Sequence, residues 1–239
     1  MDRWLSNLLF ILVIFFTNIV QAITSFAGTA LAMPFSIALV GYNTARPVLN
    51  AIALLLCLYL TIRYFKDIDW KFVIYIVIFA GIGLIAGMLL RQYLYSELLL
   101  KIYGLFVCLL AGLFLISKKG FNVPIWLQIV LLIIGGFIHG LFVSGGPLLV
   151  LALQSKVKEK EKFRATLSFV WVLLNSVLLG QDLINQAWNI EMLILLAISV
   201  PTVIVSIIIG KTIFKKLNND TFMKFAYLLL FISGFFLLR

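Results

Sequence analysis

From Trp4 to Ala45 the chain runs for 42 residues without one Asp, Glu, Lys or Arg. A helix rises about 1.5 Å per residue and a hydrocarbon core is about 30 Å thick, so about 20 residues cross it once. A charge-free run of this length is too long for a single crossing and too apolar for a soluble domain. Soluble chains are about 45–50% apolar and about 25% charged. This one is 64% hydrophobic and 12% charged, which makes it an integral membrane protein.

The remaining charge-free runs show how the chain is organised. Pro47–Ile62 has 16 residues, Phe72–Leu90 has 19 and Ile102–Ser117 has 16. Then come Gly120–Ser155 with 36, Ala165–Gln181 with 17, Met192–Gly210 with 19 and Phe225–Leu238 with 14. The order long, short, medium, short occurs twice, the mark of an internal repeat with halves 1–119 and 120–239. An offset of 118 residues lays Gly28 on Gly146, Arg46 on Arg164 and Trp70 on Trp188. The register then slips, so that Lys101 falls opposite Lys224. The N-terminal segment mimics a signal peptide, but its apolar run continues far past Ala22 and the repeat needs it, so it reads as a first membrane segment.

Basic residues favour the cytoplasmic side. If each long run enters and leaves on one side, 14 of the 19 Lys and Arg fall in Arg63–Lys71, Lys118–Lys119, Lys156–Arg164 and Lys211–Lys224, all on one face. Single crossings instead divide the basic residues 12 to 7 at best. The expected fold is therefore all-α and polytopic, with two inverted repeats. Each contributes a long broken or re-entrant helical hairpin and three spanning helices. Both termini, and the acidic loop Asp182–Glu191, are expected outside. The net charge of +10 then reflects cytoplasmic loops and anionic lipid heads, not nucleic acid.

Midway along each long run lies a stretch of small and polar residues: "QAITSFAGTALAMP" (Gln21–Pro34) and "HGLFVSGGPLLVL" (His139–Leu151). Gly and Pro let a helix break. A break exposes amides that only a protein-lined cavity tolerates in a bilayer. A half-helix N-terminus carries partial positive charge and suits an anion. Pro147 fits the first turn of a new helix; Ser25 or Thr29 is expected to cap the other, with Gly28 admitting close backbone approach. Small residues also serve plain helix packing. Substrate contacts are expected from Gln21, Thr24, Ser25, Gly28, Thr29, His139, Ser144, Gly145 and Gly146.

Asn50 and Ser168 are repeat partners, each four residues after Arg46 or Arg164, and Asn175 lies seven beyond Ser168 on the same face. These three join the expected site, with Thr166 and Asn18 as weaker candidates. Arg46 and Arg164 are expected to anchor their helices at the interface. All nine acids are expected in the terminus or loops, which argues against a carrier built on a buried carboxylate. His139, the sole histidine, is the candidate to bind the anion or carry a coupling proton; the alternative is a neutral packing histidine. Cys57 and Cys108 sit in apolar runs as small hydrophobes.

"SFAGTALAMPF", "GFIHGLFVSGGPLLVL" and "KFRATLSFVWVLLNS" (Lys162–Ser176), in that order along the whole chain, resemble the TauE/SafE sulfite-exporter family, also called the 4-toluene sulfonate uptake permeases. The resemblance implies a multi-pass carrier of sulfur-containing anions in a bacterial or archaeal cytoplasmic membrane. The leading expectation is a secondary transporter of a small anion, working by alternating access at a midplane site. An anion channel and a non-transport assembly subunit are the alternatives. An enzyme is not expected, because the sequence has no His cluster, cysteine pair or intramembrane acid pair. No cofactor or metal is expected. The expected partners are the anion, a proton as candidate coupling ion, and membrane lipids; the oligomeric state is open.

Overall fold

The computed structural model describes residues 3–94, 97–116, 123–153 and 159–238. The first long run divides into α1 (Arg3–Thr24) and α2 (Ala27–Val40). Next come α3 (Tyr42–Arg63), a 3-10 turn at Phe65–Asp67, α4 (Trp70–Leu94) and α5 (Glu97–Ile116). The second long run divides into α6 (Ile125–Phe142) and α7 (Gly146–Leu153), followed by α8 (Lys160–Ile184), α9 (Ile190–Lys216) and α10 (Asn219–Leu237). Among the described residues there is no strand. Six helices among the described residues, α1, α3, α4, α6, α8 and α9, are each long and apolar enough to cross a bilayer. The boundary drawn between residues 119 and 120, and the basic residues Lys118, Lys119, Lys156 and Lys158, lie outside the described residues.

Both long runs break where the small residues sit, and they break in the same way. Ser25 and Val143 take the left-handed conformation, with φ of 67° and 54°. They stand 118 residues apart, the offset that lays Gly28 on Gly146. Neither is glycine, so each costs on the order of 1–3 kcal/mol and persists only because its surroundings hold it. Ser25 N donates to Gln21 O at 2.7 Å and Val143 N to His139 O at 2.8 Å, so each break closes the last turn of the helix before it.

The helices that open the two long runs are packed in similar ways. α1 lies along α9: Arg3 pairs with Glu191 at 2.9 Å, Ser206 Oγ donates to Phe15 O at 2.8 Å, and Gly210 faces Ala22. In the same way α6 lies along α4, and so closely that a Cβ on Gly136 would stand 1.9 Å from the Ala80 carbonyl oxygen. Only glycine allows this approach, which brings the two backbones into direct contact. Between these pairs run α3 and α8, antiparallel. Arg46 near the start of α3 meets Asp182 near the end of α8, Asn50 meets Asn175, and the residue after α3, Tyr64, lies under Arg164 near the start of α8.

The bundle exposes apolar side chains and encloses a set of polar ones within its apolar core. Ile74, Ile78, Ile82, Ile85 and Leu89 expose the outer face of α4, and Ile190, Ile194, Ile198, Ile204 and Ile208 that of α9. A soluble protein rarely leaves so continuous an apolar surface. Arg46, Arg164, Asp182, Asn50, Asn175 and His139 are all buried.

Candidate functional site

The polar residues of α8 recur at Arg164, Ser168, Asn175 and Asp182, spacings of four and seven that keep them on one helical face. That face meets α3 and the two breaks. Ser25 Oγ and Ser168 Oγ share a hydrogen bond of 2.9 Å, and Ser168 Oγ donates to Arg164 O at 2.8 Å. Asn50 Nδ2 donates to Asn175 O at 3.1 Å. His139 Nε2 and Asn175 Oδ1 lie 2.8 Å apart. With the amide oxygen accepting, Nε2 carries the proton and the ring stands neutral or charged according to Nδ1. Trp171 covers the ring, with centroids 4.7 Å apart.

These contacts also repeat at the offset of 118. Cys57 is the counterpart of Asn175, and Gln21 Nε2 reaches Cys57 Sγ at 3.6 Å as His139 reaches Asn175. Tyr64 is the counterpart of Asp182. Arg46 Nη1 bonds Asp182 at 2.7 and 3.0 Å, while Arg164 stacks over Tyr64 at 4.3 Å and over Phe214 at 3.6 Å. Arg46 is thus held by a carboxylate and Arg164 by aromatic faces, aided by Arg164 Nη1 donating to Ala22 O at 3.2 Å.

The break between α1 and α2 is satisfied from within. Thr24 Oγ1 accepts from Ala27 N at 3.2 Å and from Phe26 N at 3.4 Å, and itself donates to Val20 O at 2.9 Å. Gln21 Oε1 accepts from Gly28 N at 2.7 Å, and its Nε2 donates to Ser25 O at 3.1 Å. Thr24 therefore performs the capping expected of Ser25 or Thr29. The amides of Phe26, Ala27 and Gly28, at the start of α2, thus have partners within the break. Thr29 only lines a cavity of about 10 Å³ shared with Asn18, Gln21 and Gly28, room for about one water. At the second break Ser144 Oγ donates to Phe142 O at 3.0 Å, and Pro147 stands in the first turn of α7 as expected. Gly145 packs on the Gly135 carbonyl. Gly146 packs on Phe26, where a Cβ would stand 2.6 Å from the carbonyl oxygen, so the two breaks touch.

Two expectations are overturned. Arg46 and Arg164 are not interface anchors: each is 1% exposed. Nor do all acids lie in loops. Asp182 falls inside α8, fully buried, with Arg46 as its partner and Arg91 Nη1 at 3.5 Å. A buried carboxylate is tolerated here because a buried cation neutralises it. The sequence did hold a sign of this: Asp182 lies seven residues past Asn175, as Asn175 lies seven past Ser168. The charge pattern alone read it as the first residue of a loop. Thr166, a weaker candidate, is remote from the seam; its hydroxyl caps Asp69 N at 3.0 Å. Asn18 donates to Ile14 O at 2.8 Å within α1.

Several buried polar atoms of the seam have no hydrogen-bond partner: His139 Nδ1, Asn50 Oδ1, Trp171 Nε1, and Nε and Nη2 of Arg46. Each such group carries a desolvation cost of about 1–3 kcal/mol, more for a charge. Four of these five atoms can donate a hydrogen bond (His139 once protonated), the chemistry of an anion site.

Across residues 10–237 the chain matches the family described as sulfite exporter TauE/SafE. Comparison with curated proteins and with solved structures gave no match. The family match spans nearly the whole chain and falls on a helical bundle with an apolar exterior and buried polar residues, so this multi-pass membrane protein belongs to the sulfite exporter TauE/SafE family of transporters.

Proposed function

We propose that the chain is a secondary carrier of a small sulfur-containing oxyanion, such as sulfite or a sulfonate, acting by alternating access of two inverted halves in a bacterial or archaeal cytoplasmic membrane. The observation that carries this reading is the α3–α8 seam. These two helices are repeat counterparts, and they pack antiparallel through Arg46–Asp182, Asn50–Asn175 and Tyr64–Arg164. Counterparts that meet antiparallel are related by an axis in the membrane plane, the geometry of inverted-repeat carriers. On this reading halves 1–119 and 120–239 rock about their shared seam.

The substrate site lies along this seam. His139, Asn50, Asn175, Ser25, Ser168 and the Ser144–Gly146 turn are its contacts; Gln21, Thr24, Gly28 and Thr29 hold the first break in shape. Along the whole seam, its Arg46 end included, donors outnumber acceptors among the unpartnered atoms, and the buried carboxylate Asp182 is already neutralised, which favours an anion over a cation. The cavity beside the first break holds only about 10 Å³, too little for a polyatomic ion, which fits a closed state of a seam that opens to either side in turn. A proton moving with the anion is carried at His139.

The test is flux into proteoliposomes of labelled sulfite, and of a labelled alkyl sulfonate, with and without a pH gradient. Saturable uptake that competing sulfur oxyanions inhibit is expected. Flux that rises linearly with concentration and carries current would replace the carrier by a channel, and no flux of any sulfur oxyanion would overturn the reading.

A further inference from the structure

One feature of the structure lies outside the proposed midplane site. At the end of the bundle where α3 begins, a cavity of about 240 Å³ is lined by Tyr42, Asn43, Arg46, Arg91, Asp182 and Met192, from α3, α4, α8 and α9. Its charges do not balance, since two guanidinium groups face one carboxylate. Asp182 also uses Arg46 in an unusual way. Both its oxygens rest on the same nitrogen, Nη1, at 2.7 and 3.0 Å. The side-on edge of that guanidinium, Nε with Nη2, is buried and has no partner. That edge is a two-donor fork whose spacing matches two oxygens of a carboxylate, sulfite or sulfonate. A purely structural ion pair in a membrane would be expected to satisfy its remaining donors, because each one left bare is costly. The fork is also placed above the seam: Arg46 is one helical turn from Asn50, which bonds Asn175, the partner of His139.

From these observations we infer that the Arg46–Arg91–Asp182 cavity is a binding site for the substrate oxyanion on its way to the seam, with Asp182 as the internal anion that the substrate displaces from Arg46. The inference rests on the carrier reading above and adds where the anion is first held and what keeps the site shut when none is present. Arg91, whose side chain is 23% exposed, meets the anion first. Arg46, 2% exposed in its side chain, takes it when Asp182 lets go. The excess positive charge draws the anion in. The competing carboxylate keeps the affinity low enough for the anion to leave toward the seam.

The experiment is equilibrium binding of labelled sulfite to the purified full-length protein in detergent, with thermal-shift titrations of sulfite, sulfate and chloride. It compares the wild type with Arg91→Gln and Asp182→Asn. Arg91→Gln is expected to weaken sulfite binding about tenfold, the effect of about 1.4 kcal/mol. Asp182→Asn removes the competitor and is expected to bind sulfite about tenfold tighter and to gain more thermal stability from it than the wild type does. If Asp182→Asn runs as a single species by size exclusion and binds no tighter, the inference is overturned. Should that variant not fold, Arg91→Gln decides: unchanged affinity overturns the inference and weakened affinity supports it. Saturable sulfite flux in proteoliposomes alongside variants with unaltered binding would remove this site and leave the carrier reading standing. Absence of both flux and binding in the wild type would remove both.

Discussion

Removing the charge of Asp182 and removing that of Arg46 are expected to have unequal costs, and the structure gives the reason. The pair is 1% and 2% exposed in its side chains, so water screens neither charge. Removing one partner of a buried pair costs about 3–5 kcal/mol, because the other charge is left uncompensated. Asp182→Asn meets that condition fully: Arg46 and Arg91 then face each other across the cavity with no carboxylate between them. At an effective dielectric constant of about 20, two unit charges 4 Å apart interact by about 4 kcal/mol, so the repulsion is not small. Arg46→Gln does not meet it. Asp182 keeps Arg91, whose Nη1 already stands at 3.5 Å, and the two unpartnered donors of Arg46 disappear with the guanidinium. Its cost falls nearer the ~1.5–3 kcal/mol of one charged hydrogen bond. A chain of 239 residues loses about 2–4 °C of melting temperature per kcal/mol. Asp182→Asn should therefore melt roughly 6–20 °C lower than the wild type and Arg46→Gln roughly 3–12 °C lower. The double variant should melt above Asp182→Asn alone, since it removes the stranded cation. Detergent-solubilised protein followed by thiol-reactive dye or by size exclusion after heating gives these values in anion-free buffer. Equal losses for the two single variants, or a double variant that loses the sum, would refute the claim that Arg91 shares the carboxylate.

Other expectations follow from single contacts. Gly146→Ala puts a Cβ 2.6 Å from the Phe26 carbonyl oxygen, so the two breaks must part; a loss of about 1–3 kcal/mol is expected by thermal melting, with a larger drop in flux than in stability. Gly136→Ala on α6, with its Cβ 1.9 Å from Ala80 O, should reduce folded yield more than Gly81→Ala on α4, where nothing lies within 4 Å. Ser25→Ala and Ser168→Ala each remove the hydroxyl pair at 2.9 Å, and the double variant should cost less than the two single losses added, with a coupling of about 0.5–1.5 kcal/mol. His139→Ala should lower sulfite flux and change its pH profile; an unchanged profile would remove the proton role. Cysteines placed at Lys162 and Glu191 should react with impermeant reagents from opposite sides of the membrane. The native Cys57 and Cys108 are buried and give little background.

Much of the fold was legible because a bilayer admits few solutions. The spacing of charges marked the helical segments, and the two long runs broke at Ser25 and Val143, inside the stretches rich in small and polar residues. Backbone groups in hydrocarbon must bond within their own helix, so the composition of a segment nearly decides its structure. The arrangement of the polar residues was legible in part. Asn50 and His139 both bond Asn175, and Ser25 bonds Ser168; the spacing of Ser168 and Asn175 announced that they share one face of α8. Gln21 and Thr24 were expected to contact substrate, but their side chains are engaged by the backbone of the break. Sequence gives the type of a polar group and not which of its possible partners reaches it first.

The sequence by itself determined that this chain lives in a membrane, that it is helical, and where its long runs break, because those properties depend on local hydropathy and backbone chemistry. Only the tertiary structure decided what the charged residues do. Arg46 and Arg164 occupy matching positions and look alike in sequence, yet one is held by a buried carboxylate on α8 and the other by the rings of Tyr64 and Phe214. Asp182 looked like a loop acid until α3 was laid antiparallel against it. A charge deep in a bilayer is tolerable only with a partner, and a partner 136 residues away in the chain is fixed by packing and not by any local pattern.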